Sequence, residues 1–277
     1  MYWTTVDTDL TLRELAYDDL AACLKLASDR DWPAEDRKWG LLLDQGTGYG
    51  LFDDAGALVG TTVVTRFSGE HAALGMVLVA TSHGGRGLGT RLVQHALENA
   101  GCPVVSLHAT AQGRPLYEKL GFRSVARLTT HFGSFATGEL SGTTRAALRA
   151  DLPAIVLEDA AVFGANRGEL WKDYFRLTDQ VRLDGAGGFA ATWRSVDSLV
   201  VGPVVADTVD EAKALIADLA VGADGDLRVD TYQDELGSWL ERKGLVERSS
   251  VDLMVLGAAD VPGDRARLHV PLMQALG

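Results

Sequence analysis

Four glycines fall within six positions where an apolar run passes into an amphipathic one. The stretch Val77–Leu97 reads VLVATSHGGRGLGTRLVQHAL, with Gly84, Gly85, Gly87 and Gly89 around Arg86. A strand, then small residues, then a helix start can bind an anion, because loop amides converge and the helix N-terminus carries a partial positive charge. Glycine also lets the backbone approach oxygen-rich ligands closely, since no Cβ intervenes. These residues predict a site for a phosphate-bearing ligand.

The spacing of the glycines excludes two common phosphate sites. A P-loop requires a lysine directly after its last glycine, and none follows here. The dinucleotide fingerprint requires a third glycine where Thr90 stands, and an acidic residue at the tip of the next strand, which ends in Leu107-His108-Ala109. The spacing that remains is Gly84-x-x-Gly87-x-Gly89, and a plain glycine turn is the alternative interpretation.

Composition limits the classes of partner. The chain has 277 residues and a formal net charge of −12, which argues against nucleic acid and anionic membranes as partners. No apolar run approaches the roughly 18–20 residues that span a bilayer, so we expect a cytoplasmic protein that does not bind membranes. Cys23 and Cys102 cannot form a disulfide framework or a zinc site, and we expect no metal.

Strand and helix signals alternate along the first half. We expect a strand at Leu10–Leu15 and helices at Tyr17–Asp29 and Pro33–Gln45. A hairpin at Gly48–Phe67 and a third strand (AALGMVLVA) then lead into the glycine loop and a helix ending near Ala100. A buried strand (PVVSLHA), a short helix (GRPLYEKL) and a closing strand (FRSVARLTTHF) complete this half.

The second half repeats this order, which indicates two copies of one α/β unit. Arg13 and Asp19 align with Arg145 and Asp151. Further along, residues 86–93 align with 209–216, and 116–122 with 239–245. A change of register between repeats is expected from loop insertions. We therefore predict an α/β (α+β, mixed-sheet) fold with domains at 1–135 and 143–277, each a mostly antiparallel mixed sheet flanked by helices.

A second motif gives the glycine loop its family context. VLVATSHGGRGLGTRLV resembles the coenzyme A pyrophosphate loop of the GNAT N-acetyltransferases, and PLYEKLGF (Pro115–Phe122) resembles the second signature of that family. One helix and one strand separate the two, as in the family. The resemblance covers about residues 10–132, and Gly84 stands where the family usually has Gln or Arg. The second half resembles, more loosely, the degenerate partner domain of tandem GNAT proteins.

The resemblance implies an acyltransferase that uses acetyl-CoA as cosubstrate. It implies that the strand before the loop splays from its neighbour, so that its free amides bind pantetheine. The residues implied to bind coenzyme A are Met76, Val77, Leu78, Val79, Gly84, Gly85, Arg86, Gly87, Leu88, Gly89, Thr90, Thr110, Gly113 and Tyr117.

The same resemblance implies direct transfer of the acetyl group to an amine. Tyr117 falls on the family's tyrosine and is the predicted general acid, with an aromatic core anchor as the alternative. The strand before the loop carries no carboxylate, so the base stays open. His108 is the candidate base or relay, although it could be a structural histidine; water, Glu70, His71 and Asp31 are others.

The acceptor is predicted to be a small molecule with a primary amine. The segment Ser28–Gly40 carries Asp31, Trp32 and Trp39, which could bind a cationic or aromatic amine through charge and cation–π contacts. The alternative is a helix in which Trp39 belongs to the core. We expect a monomer or a homodimer.

The second copy lacks the features that suggest chemistry. In the alignment Asp207, Asp210 and Ala212 replace the three glycines, and Leu240 replaces Tyr117. Carboxylates at a helix start repel a pyrophosphate, so we expect the second domain to bind no coenzyme A. A non-catalytic acyl-CoA-binding sensor or interaction module is the alternative function for the whole chain.

Overall fold

The computed structural model describes residues 10–277, and its contacts group them into two compact units. Unit 1 holds the described residues up to Thr65 together with Leu74–Gly101. Unit 2 holds Arg66–Ala73 and Cys102–Gly277. Across the described span, no helix has both the length and the apolar character needed to cross a membrane.

Unit 1 is a small sheet covered by three helices. The elements are β1 (Thr11–Glu14), α1 (Leu20–Asp29), α2 (Asp36–Gln45), β2 (Thr47–Phe52), most of β3 (Leu58–Phe67), the later part of β4 (His71–Val79) and α3 (Leu88–Glu98). The strands lie in the order β1–β2–β3–β4.

The core of unit 1 is apolar and tightly packed. Trp39, Leu51 and Leu92 are fully buried, each from a different element. A Cβ on Gly60 of β3 would lie 2.9 Å from Cδ1 of Leu92, so this glycine lets α3 pack directly on the sheet. The glycine loop that precedes α3 is thereby placed at one end of the sheet.

Unit 2 contains the rest of the chain around a longer mixed sheet. The elements are the first part of β4, β5 (Val104–Ala109), α4 (Arg114–Lys119), β6 (Arg123–Gly133), β7 (Thr144–Ala146), α5 (Leu152–Phe163), α6 (Gly168–Leu177), β8 (Thr178–Asp184), β9 (Phe189–Arg194), β10 (Leu199–Val205), α7 (Val209–Ala220), β11 (Leu227–Thr231), α8 (Asp234–Arg242), β12 (Val246–Leu256) and β13 (Leu268–Val270). From β5 the strands run β5–β12–β6–β11–β10–β9–β8–β7, and β13 pairs with β10. The predicted fold class, a mixed sheet flanked by helices, is confirmed.

The two sequence halves exchange strands at the centre of this sheet. β6 comes from the first half, yet it pairs with β12 on one side and β11 on the other, both from the second half. β12 in turn lies between β6 and β5. The two compact units are defined by contacts, and their boundaries differ from those of the two domains defined by the sequence repeat. The domain limits at 135 and 143 stay a prediction.

Matching ion pairs occur at the start of both halves. Arg13 donates to both carboxylate oxygens of Asp19 at 2.7 and 2.8 Å, and Arg145 does the same to Asp151 at 2.8 Å. Each carboxylate also accepts a backbone N–H three residues before it. The arginine hydrogen bonds hold the pKa of Asp19 below its usual value and lower that of Asp151 to about 2. Two aligned pairs with the same geometry are strong support for the internal repeat.

The ends of α4 and α8 repeat one another as well. Gly121 and Gly244 both adopt the left-handed conformation, with φ of 92° and 103°. The amide of Phe122 donates to the carbonyl of Tyr117 at 3.0 Å, as that of Leu245 does to Leu240 at 3.1 Å. Glycine is the residue that enters this conformation without steric cost, so both helices end in the same way. The predicted alignment of these two segments is thus reproduced in the backbone.

Candidate functional site

The glycine loop ends at a helix that no side chain caps. Gly85 and Gly87 have φ of 76° and 77°, and Gly87 is the N-cap of α3 without a side-chain hydrogen bond. A Cβ at either position would meet no atom within 4 Å, so glycine is favoured there by the backbone conformation and not by crowding. The first amides of an α-helix have no partner inside the helix. This helix start can therefore accept an anion.

The strand before the loop is distorted where a ligand was predicted. Met76 of β4 has φ of 52°, an uncommon conformation for a residue with a side chain. The hydroxyl of Thr61 on β3 donates to the carbonyl of Met76 at 2.8 Å and holds this distortion in place. Such outliers persist where surrounding structure enforces them, and they are concentrated at functional sites. Sequence analysis missed Thr61, because its partner lies on another strand.

The segment between α1 and α2 is tied to the beginning of the loop. The amide of Thr81 donates to the carboxylate of Asp29 at 2.7 Å, and Arg30 donates to the Thr81 hydroxyl at 3.1 Å. The amide of Thr81 also holds the pKa of Asp29 below its usual value. Within unit 1 the end of α1 therefore contacts the beginning of the glycine loop. No local sequence pattern predicts this contact.

The three predicted acceptor residues differ in their surroundings. Asp31 is exposed with φ of 55°, and Trp32 is 36% exposed directly after it. Trp39 is fully buried in the core of unit 1, which is the packing role left open as the alternative. An indole that is fully enclosed offers no surface to an acceptor. Asp31 and Trp32 stay predictions.

Tyr117 lies in α4, in unit 2, with its ring packed between two neighbours. The ring contacts Phe122 edge-on at 5.9 Å between centroids, and a Cβ on Gly113 would lie 3.1 Å from Cε2 of the tyrosine. Gly113 therefore leaves room for the ring, and its amide donates to the carbonyl and hydroxyl of Thr110 at 3.0 and 3.2 Å. Burial raises the pKa of Tyr117 to about 12. The hydroxyl is protonated at neutral pH, as a proton donor must be.

Both ring nitrogens of His108 are already hydrogen-bonded. Nδ1 lies 2.8 Å from the carbonyl of Gln274 and Nε2 lies 2.8 Å from the hydroxyl of Tyr232. A carbonyl only accepts, so Nδ1 carries the proton and the neutral ring accepts at Nε2. Burial lowers the pKa of His108. The ring is therefore neutral and linked to a tyrosine, and its part in proton transfer stays a prediction.

Two other candidate bases differ in their access to solvent. His71 is buried, its Nε2 lies 2.8 Å from the hydroxyl of Ser106, and burial lowers its pKa to about 4. Glu70 directly precedes it and is exposed. These contacts identify neither His71 nor Glu70 as the general base, and both stay candidates.

The corresponding loop of the second half is shorter and closed by its own side chains. Residues 80–87 connect β4 to α3, whereas residues 206–208 connect β10 to α7. This length difference corrects the predicted alignment of Gly87 with Asp210, because the N-cap of α7 is Thr208. The Thr208 hydroxyl accepts from the amide of Glu211 at 3.2 Å, and the Glu211 carboxylate accepts from the amide of Thr208 at 2.9 Å. Side chains thus occupy the donors that α3 leaves available.

Removing this cap is expected to affect stability alone. Thr208→Ala should lower the free energy of unfolding by about 1 kcal/mol in urea denaturation, because α7 loses its capping hydroxyl. Thr208→Ser keeps the hydroxyl and should stay within about 0.5 kcal/mol of the parent protein. Weaker acetyl-CoA binding by the alanine variant would contradict the assignment of the loop before α7 as inactive.

Comparisons with known proteins place both halves in one family. Residues 13–122 match the model of the acetyltransferase (GNAT) family, and residues 155–270 match that of an acetyltransferase (GNAT) domain. The first match contains the glycine loop and ends at Phe122, directly after Tyr117 and Gly121.

A curated relative and two solved structures agree with these matches. An uncharacterized N-acetyltransferase of Bacillus subtilis, YitH, is 27% identical over 232 residues, which is 79% of this chain and 81% of the relative. A putative acetyltransferase from Pyrococcus horikoshii superposes with a TM-score of 0.86 at 17% identity, over 100% of this chain and 99% of the other. A tandem GNAT protein from the clavulanic acid biosynthesis pathway does so with a TM-score of 0.64 at 12% identity, over 91% and 99% of the two chains. At such identities the two structures show the fold alone. The chain therefore belongs to the GNAT acetyltransferase superfamily, with one GNAT domain matched in each half.

Proposed function

We propose that the protein transfers an acetyl group from acetyl-CoA to a primary amine of a small molecule by direct attack. One observation carries this proposal: the helix after the glycine loop starts at Gly87 without a side-chain cap, whereas α7 is capped by Thr208 and Glu211. An uncapped helix start behind left-handed glycines suits a diphosphate. This assigns acyl-CoA binding to the first half.

The residues fit coenzyme A in its chemistry. In unit 1 we assign the pyrophosphate to residues 84–90 and pantetheine to the backbone of residues 76–79. The family resemblance also assigns Thr110, Gly113 and Tyr117 to coenzyme A. Bound acetyl-CoA would supply an activated acyl group on a thioester, and the protein would supply amide donors and a proton.

Tyr117 is the group we assign to the departing thiolate. Its raised pKa keeps the proton on the phenol until negative charge forms on sulfur. The amine must lose a proton before attack, and the described strand β4 offers no carboxylate for this step. We therefore propose that the acceptor reacts from its neutral fraction, with Asp31 and Trp32 contacting the amine.

Coenzyme A release with a panel of amines tests the proposal. The panel should contain an amino sugar, an amino acid, a diamine and an aromatic amine, each assayed with acetyl-CoA. We expect saturable thiol release with at least one of them, at a rate that rises with pH because more amine is neutral. Tight acetyl-CoA binding with no turnover across the panel would contradict the enzyme assignment.

A second candidate is the non-catalytic acyl-CoA-binding module. Both nitrogens of His108 are hydrogen-bonded and the described β4 carries no carboxylate, so neither position offers a base that is free of other partners. Both functions predict a rise in thermal stability with acetyl-CoA. Thiol release distinguishes them, since only the enzyme consumes the thioester.

A further inference from the structure

A polar groove lies between α8 and the β6–β12 pair of unit 2. It has a volume of about 420 Å³, within the range of small-molecule sites. Its walls come from both sequence halves, since β6 belongs to the first and α8 to the second. No function assigned to the glycine loop or to Tyr117 accounts for it.

One side chain of the first repeat has no counterpart beside the groove in the second. In the first repeat, Arg114 of α4 reaches Glu118 at 2.7 Å and Asp252 of β12 at 3.1 Å. The alignment of α4 with α8 puts Gly237 at the position of Arg114 and Thr129 at that of Asp252. Position 237 therefore carries no arginine, and the ring of His131 lies against it instead.

An unpartnered histidine lines this groove. His131 of β6 is only 3% exposed, and its Nδ1 has no hydrogen-bond partner among residues 10–277. A Cβ at Gly237 would lie 3.0 and 3.1 Å from Cε1 and Nε2 of the ring, so the imidazole edge abuts α8 beside the groove. Nδ1 is enclosed, so the Cε1–Nε2 edge beside Gly237 is the part of the ring that a ligand in the groove can approach.

The charge of the groove is negative. Asp234, Glu241 and Glu247 line it, against the single cation Arg127. Arg127 approaches Glu247 only to 3.6 Å with both side chains exposed, which is a weak pair. Among the described residues, no three acidic, histidine or cysteine side chains converge in a way that could hold a metal ion. The carboxylates are spread out, which suits an organic cation with more than one charged group.

We propose that this groove binds a linear polyamine. Asp234 and Glu241 lie seven residues apart on α8, about 10 Å along the axis at 1.5 Å per residue. Two ammonium groups at that separation pair with the two carboxylates, and Glu247 faces the same ligand from β12. Thr129 and Ser238 provide hydrogen bonds to the amine hydrogens from the two walls. This inference does not rest on the proposed enzyme activity.

Calorimetric titration of spermidine into the full chain without acetyl-CoA tests the groove. We expect saturable binding that weakens as salt rises. The double variant Glu241→Gln and Glu247→Gln should weaken it about four- to twenty-five-fold, because each lost pair contributes a factor of about two to five. Glu235→Gln also removes one negative charge from α8, but Glu235 pairs with Lys213 outside the groove. The Kd of this variant for spermidine should stay within twofold of the parent value.

Three outcomes would overturn the proposal: no saturable binding, an unchanged Kd in the double variant, or an equal loss in Glu235→Gln. Gly237→Arg gives a second test, because residue 237 lines the groove and a cation there should weaken the binding of a polycation if the variant folds. The glutamine variants avoid the close contact between residue 237 and His131, so they decide the question alone if the arginine variant does not fold. The double variant should keep the acetyl-CoA Kd of the parent, which separates this result from failure of the proposed function.

Discussion

Tyr117→Phe is expected to lower kcat for acetyl transfer by about a hundred- to a thousandfold, the usual contribution of a positioned acid. The ring keeps its contacts with Phe122 and Gly113, and the hydroxyl makes no hydrogen bond among the described residues that the change would break. The KM for acetyl-CoA should therefore change by less than about threefold. Stopped assays of thiol release at saturating acetyl-CoA measure both constants.

The pH dependence distinguishes loss of an acid from loss of packing. Burial raises the pKa of Tyr117 to about 12, so the wild-type rate should show no descending limb attributable to this phenol below about pH 11. The ascending limb comes from deprotonation of the acceptor, and the variant should show it at the same pH and a lower level. Full kcat in Tyr117→Phe at every pH would remove the acid assignment.

Tyr174→Phe is the matched control for this prediction. The Tyr174 hydroxyl is fully buried and donates to the carbonyl of Gly202, so its removal leaves an acceptor unsatisfied. We expect a loss of about 1–2 kcal/mol in the free energy of unfolding with kcat unchanged well below the melting temperature. Each substitution removes one phenol hydroxyl. Tyr117→Phe is expected to lower kcat, whereas Tyr174→Phe is expected to lower the free energy of unfolding and leave kcat unchanged.

Features that the sequence predicts well are those set by local chemistry. The alignment matches Arg13 with Arg145 and Asp19 with Asp151, and the ion pair that the structure shows in each half joins residues only six apart. The left-handed ends of α4 and α8 require glycine, and Gly121 and Gly244 mark both. Glycine at positions 85 and 87 permits the positive φ that both residues adopt.

Features that depend on distant contacts are not visible in the sequence. The exchange of β6 and β12 pairs Leu128 with Val251, and periodicity indicates a strand without naming its neighbour. The alternation around His108 does not reveal that Tyr232 and Gln274 occupy both ring nitrogens. Such contacts come from the tertiary fold, which places residues far apart in the chain beside each other.

The sequence alignment of the two repeats is wrong at the glycine loop. Aligning by residue type put Asp210 against Gly87, whereas the structure puts Thr208 there because the second connection is shorter. Both alignments lead to the same expectation, since either a carboxylate or an internal cap removes the anion site. The physical cause differs: the donors of α7 are already used by Thr208 and Glu211.

Gly87→Asp is expected to raise the Kd for acetyl-CoA by about tenfold to a hundredfold relative to Gly87→Asn. Both side chains tolerate the left-handed conformation that φ of 77° imposes, so the pair differs mainly in one charge. A carboxylate about 4 Å from a phosphate costs roughly 1–4 kcal/mol, depending on the local dielectric. Because position 87 is exposed, the difference should shrink in high salt.

The control for this comparison is Asp210→Asn in the first turn of α7, where one carboxylate is lost from the start of the corresponding helix. It should leave the acetyl-CoA Kd unchanged, because the donors there are capped and the carboxylate pairs with Lys213 at 2.9 Å. Fluorescence competition with acetyl-CoA at two salt concentrations measures all three proteins. Equal affinity in Gly87→Asp and Gly87→Asn would mean that the diphosphate binds away from this helix start, since a charge within reach of it must act on the ligand.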